Sequence, residues 1–392
     1  MAVRFTLVRA LSAGFLGFGL MGAVSNADNW KKHVIHEGVR TLTAVAGDFT
    51  GDGRVDVIAD GGKQTRLFVA PDWDLVVIDD HPEISHYIHS ELFDVDNDGD
   101  LDYIGARYNP GLIVWLENPG GYHGSAKKER GSWKRRIADD RVHGIHGLIR
   151  GDVDGDGQMD LLATSAQAKP PHAESLAWLR IPDEPRSDSM WDLFPFAVGD
   201  APGLTHYLGV GDVDGDGRLD AATGAKGGPT ATSKGEWFAW WKSDPSAKGR
   251  WVKQMISDQE PGATNIHPVQ VNGDGVMDFI ASRGHGNGVV WFEGPNWERR
   301  EIDSTIKEPH CLVAIDLDLD GDVDAATCAF GDQEAVWYEN DGEGKFTRHQ
   351  IAENQESYDL RACDLDGDGD LDLLVAGRDS NNVVWFENPV LP

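Results

Sequence analysis

Basic residues are scarce. The 392-residue chain carries 35 Lys and Arg against 66 Asp and Glu, a formal charge of −31, which disfavours partners built on a phosphate backbone. Only three cysteines are present, Cys311, Cys328 and Cys363. An odd number in apolar, strand-like runs argues for buried free thiols, with one disulfide as the alternative, and neither arrangement implies catalysis. Beyond residue 27 no run approaches the roughly 18 consecutive apolar residues that a membrane span needs. A phosphate-binding glycine loop, a dinucleotide fingerprint and a serine elbow are all missing, so three common enzyme signatures drop out. The one basic run, Lys127 to Arg136, reads as a solvated face of an outer strand.

Residues 1–27 have the make-up of a secretory signal: Arg4 and Arg9, an apolar stretch from Ala10 to Val24, and Ser25-Asn26-Ala27 as a small-x-small cleavage site. Cleavage before Asp28 and export to the periplasm or the medium are expected, with residues 28–392 as one mature domain. No Cys stands at the cleavage site to take a lipid, and no membrane insertion is expected.

Acid is abundant and periodic. The stretch Asp152 to Asp160 reads D-V-D-G-D-G-Q-M-D, with acids at its first, third, fifth and ninth positions and glycines that let the backbone curl, so that carboxylates can converge on a hard cation such as Ca²⁺. Copies occur at Asp48, Thr50, Asp52 and Asp56; at Asp94, Asp96, Asp98 and Asp102; at Asp152, Asp154, Asp156 and Asp160; and at Asp212, Asp214, Asp216 and Asp220. A degenerate fifth copy has Gln270, Asn272, Asp274 and Asp278, and two more stand at Asp316, Asp318, Asp320 and Asp324 and at Asp364, Asp366, Asp368 and Asp372. First positions are 46, 58, 60, 58, 46 and 48 residues apart, the period of a propeller blade with variable loops. Structural Ca²⁺ is expected in most loops, with the first and fifth the best candidates for empty Asx-turns.

Around each loop four strands recur. One enters it, one leaves it, and the third carries Trp115, Trp178, Trp240, Trp291, Trp337 or Trp385, which blade one lacks. An outer strand begins at Trp73, Trp133, Trp191, Trp251, Trp297 or Phe346. These aromatics suit packing between blades. The last repeat stops after its third strand, whereas Trp30-Lys31-Lys32-His33-Val34-Ile35 matches the outer-strand pattern. The expectation is an all-β, seven-bladed propeller of four-stranded antiparallel blades, closed by the N-terminal strand completing the last blade.

The loops resemble the D-x-D-G-D-G-x-x-D signature of FG-GAP/VCBS repeats over essentially the whole mature chain. That resemblance implies a seven-bladed propeller of the integrin-head and bacterial secreted type, a family that holds adhesins as well as enzymes. The segments T-S-A-Q, I-H-G-L and S-R-G-H-G are also similar to secreted carbohydrate-active propellers, among them rhamnose–glucuronate lyases, ulvan lyases and the propeller domain of aldos-2-ulose dehydratase.

A second period bears on function. His146, His206 and His310 each stand six residues before a loop, His89 five before, and His267 three before Gln270. At about 3.3 Å per strand residue, six residues span roughly 20 Å, so these side chains should gather at the channel mouth opposite the acidic loops. The returning strands end near Arg107, Gln167, Lys226, Arg283, His285 and Arg378, with Lys63 in blade one, and Tyr87, Tyr108, Tyr207 and Tyr358 fall in the same loops. A mouth of cations and imidazoles suits an acidic oligo- or polysaccharide. The reading is a monomeric polysaccharide lyase acting by β-elimination at a uronic acid, with His146 and His206 as bases, Tyr207 as acid, and Arg107, Lys226, Arg283 and Arg378 on the carboxylate or sulfate. Alternatives are a glycan- or protein-binding module, a sugar dehydratase or a His-dependent hydrolase. The histidines would also suit Zn²⁺.

Overall fold

In a computed structural model, residues 30–389 are described apart from 84–85, 122–131, 188, 229–230, 232–233 and 245. The expected signal segment, residues 1–27, and the first half of the basic run, 127–131, therefore lie outside the described residues. The chain forms seven four-stranded antiparallel sheets. Blade two shows the pattern: His89–Phe93 is innermost, then Asp102–Arg107, Leu112–Glu117, and Lys134–Asp139 outermost. The only helical element among the described residues is a single turn at Pro185–Ser187. No helix there is long and apolar enough to cross a membrane.

The innermost strands of consecutive blades touch one another in turn, and that of blade seven (Asp359–Cys363) touches that of blade one (Thr41–Gly47), which closes the ring. Closure also runs through the ends of the chain. Lys31–Glu37 pairs with Asn382–Glu387 as the outer strand of blade seven, with Lys31 opposite Glu387 and His33 opposite Trp385. The two imidazole and indole rings stack at 4.1 Å.

Seven apolar clusters lie one between each neighbouring pair of blades. Their third-strand tryptophans are at most 6 % exposed. In blade one Leu67 takes that place, opposite Ile58 as Trp115 is opposite Ile104. Such large flat fillers match the roughly 10 Å separation of stacked sheets. Cys311 and Cys328 are buried free thiols opposite one another on adjacent strands, and Cys363 is a partly buried free thiol.

The acidic loops lie at the far end of the innermost strands from the channel mouth. In each well-formed copy the first Asp accepts N–H groups of the curling backbone: Asp48 Oδ2 from Gly53 at 2.8 Å, Asp212 Oδ2 from Gly217 at 2.8 Å. Glycines at these turns have positive φ, +74° at Gly155 and +90° at Gly157, a region open to Gly without cost. The ninth Asp is buried and clamps the hairpin. Asp102 accepts from Val95 N and Asn118 N, Asp324 from Leu317 N and Asn340 N, and Asp372 from Leu365 N and Asn388 N.

Candidate functional site

Six residues before the loops stand Leu42, Ile88, His146, His206, Thr264, His310 and Tyr358, of which Leu42, Ile88, His146, His206 and Tyr358 line the cavity at the channel mouth. It has an apolar side, where Leu42, Ile88 and Tyr358 pack together, and an imidazole side. Backbone irregularity turns the histidines inward. His206 falls where the pairing of Thr205–Gly211 slips between Thr205 and Leu208, and His310 where that of Pro309–Ile315 slips between Pro309 and Cys311, the kind of bulge that re-aims a side chain. His146 precedes the regular strand Leu148–Gly151, and its N–H and that of Gly147 both donate to Thr164 Oγ1 at 2.9 Å. A Cβ on Gly147 would meet the His206 carbonyl oxygen at 2.3 Å. The missing side chain therefore lets the two strands approach, and the His146 and His206 rings lie 3.9 Å apart.

His89 stands behind His146, its Nε2 3.3 Å from His146 Nδ1. His285 arrives from the loop Arg283-Gly284-His285-Gly286, which is folded so closely that a Cβ on Gly284 would meet His310 Cα at 2.5 Å. Its Nε2 is 3.0 Å from His206 Nε2. Tyr358 places its hydroxyl 2.9 Å from His146 Nε2 and stacks on His310 at 3.7 Å. Together His146, His206, His285, Tyr108, Tyr358, Arg40, His86, Lys226 and Arg378 line a cavity of about 430 Å³. Among the described residues no acidic side chain lines it.

Burial sets the protonation. Loss of solvent lowers the His146 pKa to about 3, with the neighbouring His285 and Lys226 adding to the effect. It lowers His285 to about 4, helped by Lys226 and Arg378. His89, His206 and His310 are pushed well down, again by burial first. All five imidazoles are therefore neutral at pH 7. Burial also lowers the Lys226 pKa and holds the Tyr358 hydroxyl protonated by raising its own.

Several expected residues stand elsewhere. His267 is in a regular pair with Ile280, three residues past the place the mouth histidines occupy, and its Nε2–H donates to Leu312 O at 2.8 Å. It faces a second cavity of about 400 Å³ on the acidic-loop side, with Glu91, Arg150 and Arg361. There the partly exposed Arg361 lies 3.7 Å from Glu91 and 3.4 Å from the buried Asp359. Tyr207 is buried behind the histidines, its hydroxyl donating to Tyr358 O at 3.2 Å, and is not among the residues lining the cavity. Arg107, Gln167 and Arg283 are not among them either; Arg283 points to Glu260 at 3.8 Å, and Gln167 packs against Gly144.

The acidic loops bring members of the expected ligand sets together, among them Asp94, Asp96 and Asp102; Asp152, Asp154 and Asp160; Asp212, Asp214 and Asp216; and Asp316, Asp318 and Asp320. Protein cations also reach the loops, among them Arg54 on Asp52 in the first. Lys242 contacts Asp214 and lies 2.8 Å from Asp216, and Arg186 lies 2.7 Å from Asp96 and 2.6 Å from Asp98. The fifth loop has Asn272 accepting from Asp274 N, an amide in place of a carboxylate.

Comparison with known proteins agrees with the architecture. The family model of the FG-GAP-like repeat matches residues 94–163 and 316–375, so the chain is a seven-bladed propeller carrying FG-GAP-like repeats. No curated protein sequence matches it. Among solved structures it is similar to BBS1N in complex with ARL6DN soaked with lead, with a TM-score of 0.59 and 9 % identity over 92 % of this chain and 97 % of that one. The corresponding complex soaked with mercury gives a TM-score of 0.59 at 10 % identity, over the same shares. Identity this low speaks for the fold alone.

Proposed function

We propose that the mouth binds an acidic saccharide and cleaves it by β-elimination beside a uronic acid, outside the cell. One observation supports this above the others: a chain of charge −31 gathers Arg40, Lys226 and Arg378 with neutral imidazoles around one cavity, where Asp379, outside the lining, is shared by Arg40 at 3.2 Å and Arg378 at 3.6 Å and so leaves a net positive charge. Such a site favours a carboxylate. In this reading Lys226 and Arg378 neutralise the uronate, which acidifies the proton on the adjacent carbon. The neutral His285 imidazole accepts that proton, the carbon–carbon double bond forms, and the bond to the leaving oxygen breaks. Tyr358, kept protonated by burial, donates to that oxygen. Tyr358 and His285 thus take the acid and base roles expected of Tyr207 and of His146 and His206. The acidic loops, in the same reading, hold structural Ca²⁺.

Incubation with uronate-containing polysaccharides, followed by the ultraviolet absorbance of the unsaturated product, tests the activity. Product formed by the native chain and lost in His285→Ala and Tyr358→Phe is the expected result. Binding on a glycan array without product would assign a recognition module, and a product mass larger by water would assign a hydrolase.

A further inference from the structure

We propose that His146, His206 and His310 form a binding site for a divalent transition metal of the zinc class, separate from the Ca²⁺ loops. One ring nitrogen from each lies within 4.8 Å of the other two, and all three residues are buried. Tetrahedral zinc with Zn–N bonds of about 2.0–2.1 Å places its ligand atoms about 3.4 Å apart, so a modest closure of the rings completes the site.

The hydrogen bonds behind the rings point to the same role. His206 Nδ1–H donates to Leu204 O at 2.9 Å, and His310 Nδ1–H donates to Tyr358 O at 3.2 Å. His146 Nδ1 is held by His89 Nε2 at 3.3 Å. Each ring is thus fixed from behind through Nδ1, while a metal on Nε2 would replace the Tyr358 hydroxyl at His146, 2.9 Å away, and the His285 contact at His206, 3.0 Å away. Fixing from behind is how metal-binding imidazoles are oriented by their neighbours. His310 Nε2 is buried and has no hydrogen-bond partner among the described residues, a cost that a metal bond removes. His285, with Nε2 3.0 Å from His206 Nε2, stands beside the site, within reach of a metal-bound group. An all-imidazole set selects zinc, iron, nickel or copper over Ca²⁺, which takes oxygen ligands.

Lys226 and Arg378 line the same cavity, so a dication there adds positive charge to positive charge. An anion relieves it. Resting on the proposed acidic-saccharide reading, metal and uronate should therefore bind with positive coupling, each raising the affinity for the other by the same factor.

Cobalt(II) serves as the probe. Full-length protein stripped of metal and then saturated with Ca²⁺ to fill the acidic loops is titrated with cobalt(II), with and without glucuronate, following visible ligand-field bands and bound cobalt per chain. Stoichiometric binding with imidazole-type bands is expected, weakened about 100-fold or more in His206→Ala and in His310→Gln, and unchanged in the loop variant Asp212→Asn. Near-ultraviolet circular dichroism identifies any variant that fails to fold, and His310→Gln supplies a conservative second case. No stoichiometric cobalt, or cobalt retained in both histidine variants, or cobalt lost in Asp212→Asn, would overturn the site. Cobalt binding indifferent to glucuronate upholds the metal site and counts against the acidic-saccharide reading.

Discussion

At the residue scale, the mouth is a set of groups whose charge is decided by burial. His146 and His285 are held neutral, with pKa values of about 3 and about 4, whereas an unfolded imidazole titrates near 6.5. In the metal-free protein the unfolded chain thus binds more protons below about pH 6.5, so their contribution to stability is complete above that pH. It is lost progressively as the pH falls toward 3. Denaturant melts between pH 7 and pH 4 should show that loss, and His146→Phe should flatten the acid limb; an unchanged limb would mean that the imidazole is not buried neutral. Residue types were legible at this scale, but two positions were not. Tyr358 holds the seventh copy of the mouth position, a fact visible by counting six residues back from Asp364. His267 misled because it stands three residues before its loop, at a regular paired position facing the other end of the channel.

At the element scale, bulges and glycines do what strand periodicity alone cannot foretell. Entry to the inner strand slips register at His206 and His310, and no hydrophobic pattern marks a slip of one residue. Gly147 has a legible signature in I-H-G-L but an illegible reason, namely the His206 carbonyl 2.3 Å from its absent Cβ. Gly147→Ala should cost about 1–3 kcal/mol and separate the His146 and His206 rings. Chemical denaturation measures the first effect and cobalt affinity the second. The acidic loops were the most legible elements, and the structure places them as hairpin clamps at the end opposite the mouth. Selective chelation of Ca²⁺ should lower the melting temperature, with any loss of activity following the loss of structure. Activity abolished while melting and circular dichroism stay constant would give the loops a direct role in the chemistry.

At the scale of the whole molecule, seven near-equivalent blades make one ring whose stability depends on joining its ends. Repeat spacing and the stray outer-strand pattern at Trp30 were enough to foresee both the blade number and the closure. Ile35 is buried among the residues that join blade seven to blade one, beside Val383 and Trp385. Ile35→Ala should therefore cost about 2–5 kcal/mol, read from urea titration, whereas an equal truncation at the exposed Val34 should cost much less. The ring also separates two environments along one channel. Neutral imidazoles and cations stand at the mouth, the Glu91–Arg361–Asp359 ion pairs lie beyond them, and the acidic loops rim the other end. An acidic protein presenting a positive pocket in this way is the basis for assigning it an anionic sugar ligand. Calorimetric titration of a uronate oligosaccharide tests that assignment most directly. Saturable binding is predicted, weakened about tenfold, or about 1.4 kcal/mol, by each of Lys226→Ala and Arg378→Ala. No uronate binding, or an affinity unchanged in the double variant, would contradict it.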